Sequence, residues 1–551
     1  MKIKQWENNI IFYACMLVGL LLVGSSLDND CWFLLNHGRY ILEYGIPHIE
    51  PFTIHENFSF VIQQWLTSII FWKIYQYFGA DGLIFLLYPI AVLNIYAIYR
   101  LFLSVSEGKR DTAMILAGVV GLIICLLFIR TRPQIFSTMV FVFEVMGLEF
   151  IRKDGKKKYL LVFPVLSVLL INLHAAMWPM MLILLLPFFL DHLERYDVKG
   201  YFIKDNKLSL YYLAVISILI VLAGFINPYG LDAMTYVFRS YGYDMISNLV
   251  GEMKPITVRS GVGMAAQLMF FLVIAVYVRH KLAIRHWLIT LGTMVMAMSS
   301  IRSLYLFLAV GIYPLAYIYR DWQGFSWDES TSRDLRLRKL LILMISGVFI
   351  WTVAHKWEYV CTAFESLGTI FISVVVISLI VFLNAEWKYG RLHLVKDVFL
   401  RCGYVSTIFV VCFFILFTVG NKMLDAKELP GSARAVDYLL EHEQREDVRL
   451  WTSYNEGPYP EFCGLRCFID ARAEVFLLSN NKQRDVFYEY YSLETGRTDY
   501  RTFLSWYDFN YILVSKSDIM YTYLPSDENY ELVLHYQTKD EQEFCLYHVK
   551  E

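Results

Sequence analysis

Two carboxylates two residues apart, Asp28 and Asp30, open a polar stretch that runs on through Arg39, Glu43, His48 and Glu50. Later apolar runs end in short polar groups of related make-up. These are Arg130-Thr131-Arg132-Pro133-Gln134, Asn172-Leu173-His174, Asn227-Pro228-Tyr229-Gly230 followed by Glu252-Met253-Lys254-Pro255, and Ser299-Ser300-Ile301-Arg302. Carboxylates in such a set can act as a general base. Arg130, Arg132, His174 and Arg302 can bind an anion such as a lipid phosphate, the arginines through a planar fork of donors. Each residue also has a plainer reading: arginine at the end of an apolar run snorkels, Asn-Pro-x-Gly makes a turn, and Asp after a run caps a helix. The argument therefore rests on convergence of all five groups on one side of the protein.

The elements that must position these groups follow from composition. Of 551 residues, 57% are hydrophobic, 17% aromatic and only 18% charged. Soluble domains average about 45–50% apolar and about 25% charged. A net charge of −2 and nine scattered cysteines exclude nucleic-acid binding and a disulfide-built secreted fold. The chain reads as a polytopic α-helical membrane protein. Residues 421–551 carry 14 basic and 24 acidic side chains, against 35 and 27 in the first 420. This splits the chain into a membrane domain, 1–420, with an outer loop at 28–81, and a soluble domain, 421–551. A span needs about 20 mainly apolar residues. Thirteen runs qualify: 9–27, 82–105, 112–129, 134–151, 158–173, 176–191, 209–226, 262–279, 284–299, 302–319, 337–354, 366–385 and 400–420. The apolar segment Trp65–Gly79 is too short to cross and is expected to be interfacial or re-entrant. With the N-terminus in the cytoplasm, inner segments hold 26 basic residues and outer segments before 421 hold 9, as the positive-inside rule requires. The soluble domain is then extracytoplasmic, and every polar group named above faces outward at the plasma (cytoplasmic) membrane. Glu144 and Glu149 fall toward the inner side, where pairing or solvation is expected.

On these residues the chain resembles the GT-C superfamily of multi-span glycosyltransferases, the bacterial enzymes grouped with protein O-mannosyltransferases and aminoarabinose transferases in particular. It is more similar still to a largely uncharacterised branch of that superfamily. The resemblance is carried by Asp30, Trp32-Phe33, Gly38, Gly45-Ile46-Pro47, Glu50-Pro51-Phe52-Thr53, Arg132–Ser137, Asn172-Leu173-His174-Ala175, Asn227-Pro228-Tyr229-Gly230 and Asp470-Ala471-Arg472. It departs at Leu34, at Gln63-Gln64, where the branch has His-Glu, and at Glu50, where it has Asp. The resemblance implies transfer of a hexosyl or pentosyl group from a polyprenyl-phosphate carrier to an acceptor hydroxyl on a glycan, lipid or protein, in the cell envelope and with inversion. On that basis Asp30 is the expected base with Asp28 second. Arg132, Arg130, His174, Arg302, Glu50, Asn172 and Glu252 are the expected substrate contacts. No cofactor or metal is assigned, and a divalent ion is left open. The alternatives are a non-catalytic GT-C-like polysaccharide assembly or export factor, or a transporter.

The soluble domain is expected to be a small α/β unit. It has helices at 431–443 and Thr498–Trp506 and strands at Val448–Thr452, Arg466–Asp470, Phe509–Val514, Tyr530–Gln537 and Glu543–Val549. Asp470 and Arg472 are expected to form an internal ion pair, with a cap over the site as the functional reading. Cys463 and Cys467 leave a disulfide open.

Overall fold

The computed structural model describes residues 429–550 and, with gaps at 13–14, 17–18, 21–22, 25, 156, 193–207 and 241–243, residues 12–320. The spans expected at 337–354, 366–385 and 400–420, the boundary at 421 and part of 9–27 lie outside the described residues.

The described residues before 320 are mostly helical, with an irregular segment at 45–64 that carries an antiparallel bridge between Ile49 and Ser59. Among the described residues the longer helices here are α1 (Asp30–Tyr44), α2 (Trp65–Val105), α3 (Arg110–Leu127), α4 (Gln134–Asp154), α5 (Val162–Leu173), α6 (Pro179–Leu190), α7 (Leu210–Gly224), α8 (Gly261–Val278) and α9 (Ile284–Ser299). Four described helices are long and apolar enough to cross a membrane: Trp65–Val105, Gln134–Lys153, Gly261–Val278 and Ile301–Ile318. Shorter apolar helices cover Thr112–Leu127, Lys158–Leu173, Ala175–Leu190 and Leu210–Gly224. A break separates the short segment from the span that follows it. Within α2, Gly79 adopts φ 64°, ψ −160°, which only glycine takes readily, so Trp65–Phe78 and the span after it are two rods at an angle.

The 28–62 segment is built rather than loose. Helix α1 buries Cys31 through Gly38 against the first rod of α2. The approach is so close that a Cβ at Gly38 would overlap the Ser68 carbonyl and the Trp72 side chain. Beyond α1, the chain turns at Gly45 and runs beside the soluble domain.

That domain has a five-stranded mixed sheet of β1 (Arg449–Trp451), β2 (Arg466–Cys467), β3 (Tyr511–Ser515), β4 (Tyr530–Gln537) and β5 (Glu543–Val549), in the order β2-β1-β3-β5-β4. The β1 pairings are parallel and the others antiparallel. Three expected strands, the first three in the chain, are shorter than read from sequence. Helices Pro458–Phe462 and Val486–Glu494 are additional. The β2 edge is covered from the membrane domain, as exposed edges must be. Thr53 bridges Cys467 and the Ile54 amide donates to the Cys467 carbonyl at 3.0 Å. Cys463 and Cys467 are free thiols, so the disulfide left open above does not form.

At the other end of the bundle, Arg285 of α9 pairs with Glu149 of α4 at 3.1 Å and with Asp191 at 2.9 Å, while Tyr313 and Arg152 also hold Glu149. Glu149 is thus paired as expected. Glu144 is not: it is fully buried and neither oxygen has a hydrogen-bond partner among the described residues.

Candidate functional site

The polar groups from separate ends of helices meet in one cavity of about 340 Å³ beneath the soluble domain. Asp30 at the start of α1, Arg132 before α4, His174 after α5, Glu252 before α8 and Arg302 after α9 all line it. The soluble domain closes it with Tyr454, Asn455, Arg472 and Glu474.

Arg132 is the hub. One terminal nitrogen lies 2.7 Å from Asp28 and 3.6 Å from Asp30, and the other bonds Glu252. Burial works against its charge, but Asp30, Asp28 and Glu252 more than offset that, so its pKa is raised and it stays a cation. Its Nε–H is buried without a partner. Asp28 accepts from the Asp30 amide at 3.3 Å and its own amide donates to Thr131 at 2.9 Å. Asp28 therefore faces Arg132 and does not line the cavity, whereas Asp30 does. Burial pushes the Asp30 carboxyl up to about 7, with Arg132 lowering it, Asp28 and Glu252 raising it and Arg302 lowering it.

The anion-binding set expected from sequence is redistributed. His174 is buried, and burial with the neighbouring Arg302 lowers its pKa to about 3, so it is a neutral imidazole. Its Nδ1 is 2.7 Å from the buried Ser137 hydroxyl, which fixes the ring. Arg302 makes no ion pair with any described residue, and it influences both Asp30 and His174. Arg130 lines a smaller cavity of about 240 Å³ that shares Arg132, Gln134, Glu252 and Arg302 with the first.

Two expected contacts have other duties. Asn172 does not line the cavity. Its oxygen accepts from Trp65 Nε1 at 2.8 Å and its amide donates to the Val168 and Ile226 carbonyls, tying α2, α5 and the end of α7 together. Glu50 is likewise absent from the lining and sits in a buried cluster around Arg472. The Arg472 guanidinium meets Glu50 and Glu461 at 3.1 Å, Asp470 at 2.5 Å and His37 Nε2 at 3.1 Å, and lies between the Phe52 and Phe60 rings. Burial, with Asp470 adding to it, raises the Glu461 pKa well above the carboxylate range, and burial lowers that of His37. The cluster thus gathers one guanidinium, three carboxyl groups and an imidazole. The Asp470–Arg472 ion pair expected from sequence is there, and it also reaches across to the membrane domain.

Sequence reasoning missed His37, Tyr305 and Tyr454. Ser137 was visible only as the end of a motif element, and Gln63 only as a departure from the motif. In the fold, Gln63 donates to Glu474 at 2.9 Å across the domain junction. No group of three or more His, Cys, Asp or Glu side chains among the described residues is arranged to hold a metal ion.

No protein-family profile matches the chain. No curated protein matches it either. Among solved structures, it is similar to ArnT from Cupriavidus metallidurans bound to undecaprenyl phosphate, with TM-score 0.48 and 10% identity over 98% of this chain and 97% of that one. It is also similar to the Archaeoglobus fulgidus oligosaccharyltransferase in the apo form, with TM-score 0.46 and 11% identity over 92% of this chain and 69% of that one. The same oligosaccharyltransferase tethered to an acceptor peptide with the NVT sequon aligns at TM-score 0.46 and 10% identity over 98% and 74%. Scores and identities of this size carry no argument about substrate or chemistry.

Proposed function

We propose that the chain is an integral-membrane glycosyltransferase that moves a sugar from a polyprenyl-phosphate carrier to an acceptor hydroxyl at the outer face of the membrane, with inversion. The observation that carries this reading is the single cavity in which Asp30, pushed to about 7, stands with the cation Arg302 and the neutral His174. The motif resemblance supplies the substrate class. A carboxyl whose pKa lies near neutrality serves best as a base.

In the proposed step Asp30 takes the proton of the acceptor hydroxyl as that oxygen bonds to the anomeric carbon. The bond from that carbon to the phosphate oxygen breaks, and the polyprenyl phosphate leaves with the electron pair. One carboxylate suffices for such a displacement, by analogy with the base of inverting glycosidases. Arg302, with Arg132 beside it in the cavity wall, would hold the charge growing on the phosphate. His174 would add a neutral hydrogen bond. Asp28 and Glu252 hold Arg132 in place. The test is transfer from purified radiolabelled polyprenyl-phosphate sugars by the full-length protein in membranes and by Asp30→Asn. Loss of about a hundredfold or more in rate is expected on removing the base. Undiminished transfer by the variant ends the assignment.

A further inference from the structure

The Asn227–Gly230 turn has no part in the site above, yet it helps wall a second cavity of about 260 Å³. Three distant parts of the chain meet there: His48 and Ser59 of the first outer segment, Tyr229 and Arg239 after α7, and Asn480 and Lys482 of the soluble domain. Phe60, Val61, Tyr236 and Val475 line both cavities and form their shared wall. The walls are fixed to one another. The Tyr229 hydroxyl donates to the Pro47 carbonyl at 3.0 Å, and the Ser479 hydroxyl donates to the Arg239 carbonyl at 2.8 Å.

The two cavities differ in the number of charged groups. The first gathers Asp30, Glu252, Glu474, Arg132, Arg302 and Arg472. In the second, Arg239 and Asp232 neutralise each other at 2.9 Å, and Lys482 at the rim makes no ion pair with any described residue. Two buried atoms have no hydrogen-bond partner among the described residues: the Asn480 side-chain oxygen and the Arg239 Nε–H. The Asn480 amide nitrogen is already used, by Ser240 Oγ at 3.1 Å and the Glu474 carbonyl at 2.9 Å. The side chains that line the cavity include donors, Arg239 and Lys482, and an acceptor, Asp232, and a hydroxyl can pair with either kind. The remaining wall is aromatic, with His48 and Tyr229 edge to face at 5.2 Å and Phe60 and Tyr236 nearby. An apolar wall with a few convergent polar atoms is the make-up of a small-molecule site. Aromatic rings beside a few side chains that can pair with hydroxyls fit a sugar.

We propose that this second cavity is a saccharide subsite that holds a hydroxyl-rich acceptor glycan against the wall it shares with the reaction cavity. Its role as acceptor site rests on the transferase reading; saccharide binding does not. The test uses the full-length protein in lipid nanodiscs, with cellohexaose, maltohexaose and mannohexaose as probes in saturation-transfer NMR. Two altered proteins accompany it: Lys482→Cys labelled after purification with a bulky maleimide at the rim, against wild type treated alike, and Asn480→Leu. At least one hexasaccharide should bind wild type, with affinity about tenfold weaker in both altered proteins. Failure of all three to bind wild type, or equal binding by the labelled protein, overturns the subsite. In the transfer assay, labelling should raise the acceptor KM about tenfold and leave the donor KM unchanged. Binding without any transfer would sink the transferase reading while the subsite stands. Transfer with an unchanged acceptor KM would sink the subsite alone.

Discussion

The position of Asp30 fixes the pH dependence of the proposed reaction. A base acts only when deprotonated, so kcat/KM should be at its plateau above pH 8 and fall as the pH drops through about 7. With one proton taken up, the rate at pH 6 should be about a tenth of the plateau and at pH 5 about a hundredth. An ordinary aspartate would keep nearly full activity down to about pH 5. The neighbours set the sign of the variants. Glu252 raises the Asp30 pKa, so Glu252→Gln should move the acid limb to lower pH. Arg302 lowers it, so Arg302→Met should move the limb to higher pH as well as weaken donor binding. The assay is initial-rate transfer of labelled sugar between pH 5 and 9 at fixed ionic strength, with the donor below its KM. A flat profile down to pH 5 in wild type, or limbs moving opposite to these directions in the variants, refutes the reasoning about the cavity's electrostatics.

Arg472→Met strips the counter-charge from the buried Glu50 and Asp470. Breaking such a cluster costs about 3–5 kcal/mol, which should appear as a drop of roughly 10 °C in the unfolding temperature of the soluble domain. Glu456 and Glu494 in that domain are raised to about 7 and about 8 by burial, with Asp518 adding to it. The native state therefore keeps protons that the unfolded chain gives up near its ordinary 4.5. Stability should then be greatest at acid pH and fall as pH rises toward 8, and Glu494→Gln should flatten that slope in thermal unfolding at pH 5 and pH 8. Gly38→Ala forces a methyl into the Ser68 backbone. It should cost about 1–3 kcal/mol and shift α1, lowering both thermal stability and transfer.

What the sequence determined on its own are the features governed by near neighbours. Apolar runs such as 134–151 and 262–279 are legible because burying about 20 residues is a local property, and helices cover them. The short segment before the break at Gly79 was legible from its length, and the strands of the soluble domain as short runs of strand-forming residues. Convergence of Asp30, Arg132, His174, Glu252 and Arg302 was also within reach, because alternation of spans brings every second connection to one side. Only the tertiary structure decided which of those residues hold charge and which merely hold the fold. Glu50 pairs with Arg472 and Asn172 clamps three helices, because their partners lie hundreds or scores of residues away. The state of His174 and the rise at Asp30 depend on desolvation and on the sum of surrounding charges. Those are properties of enclosed space, and no spacing along a chain encodes them.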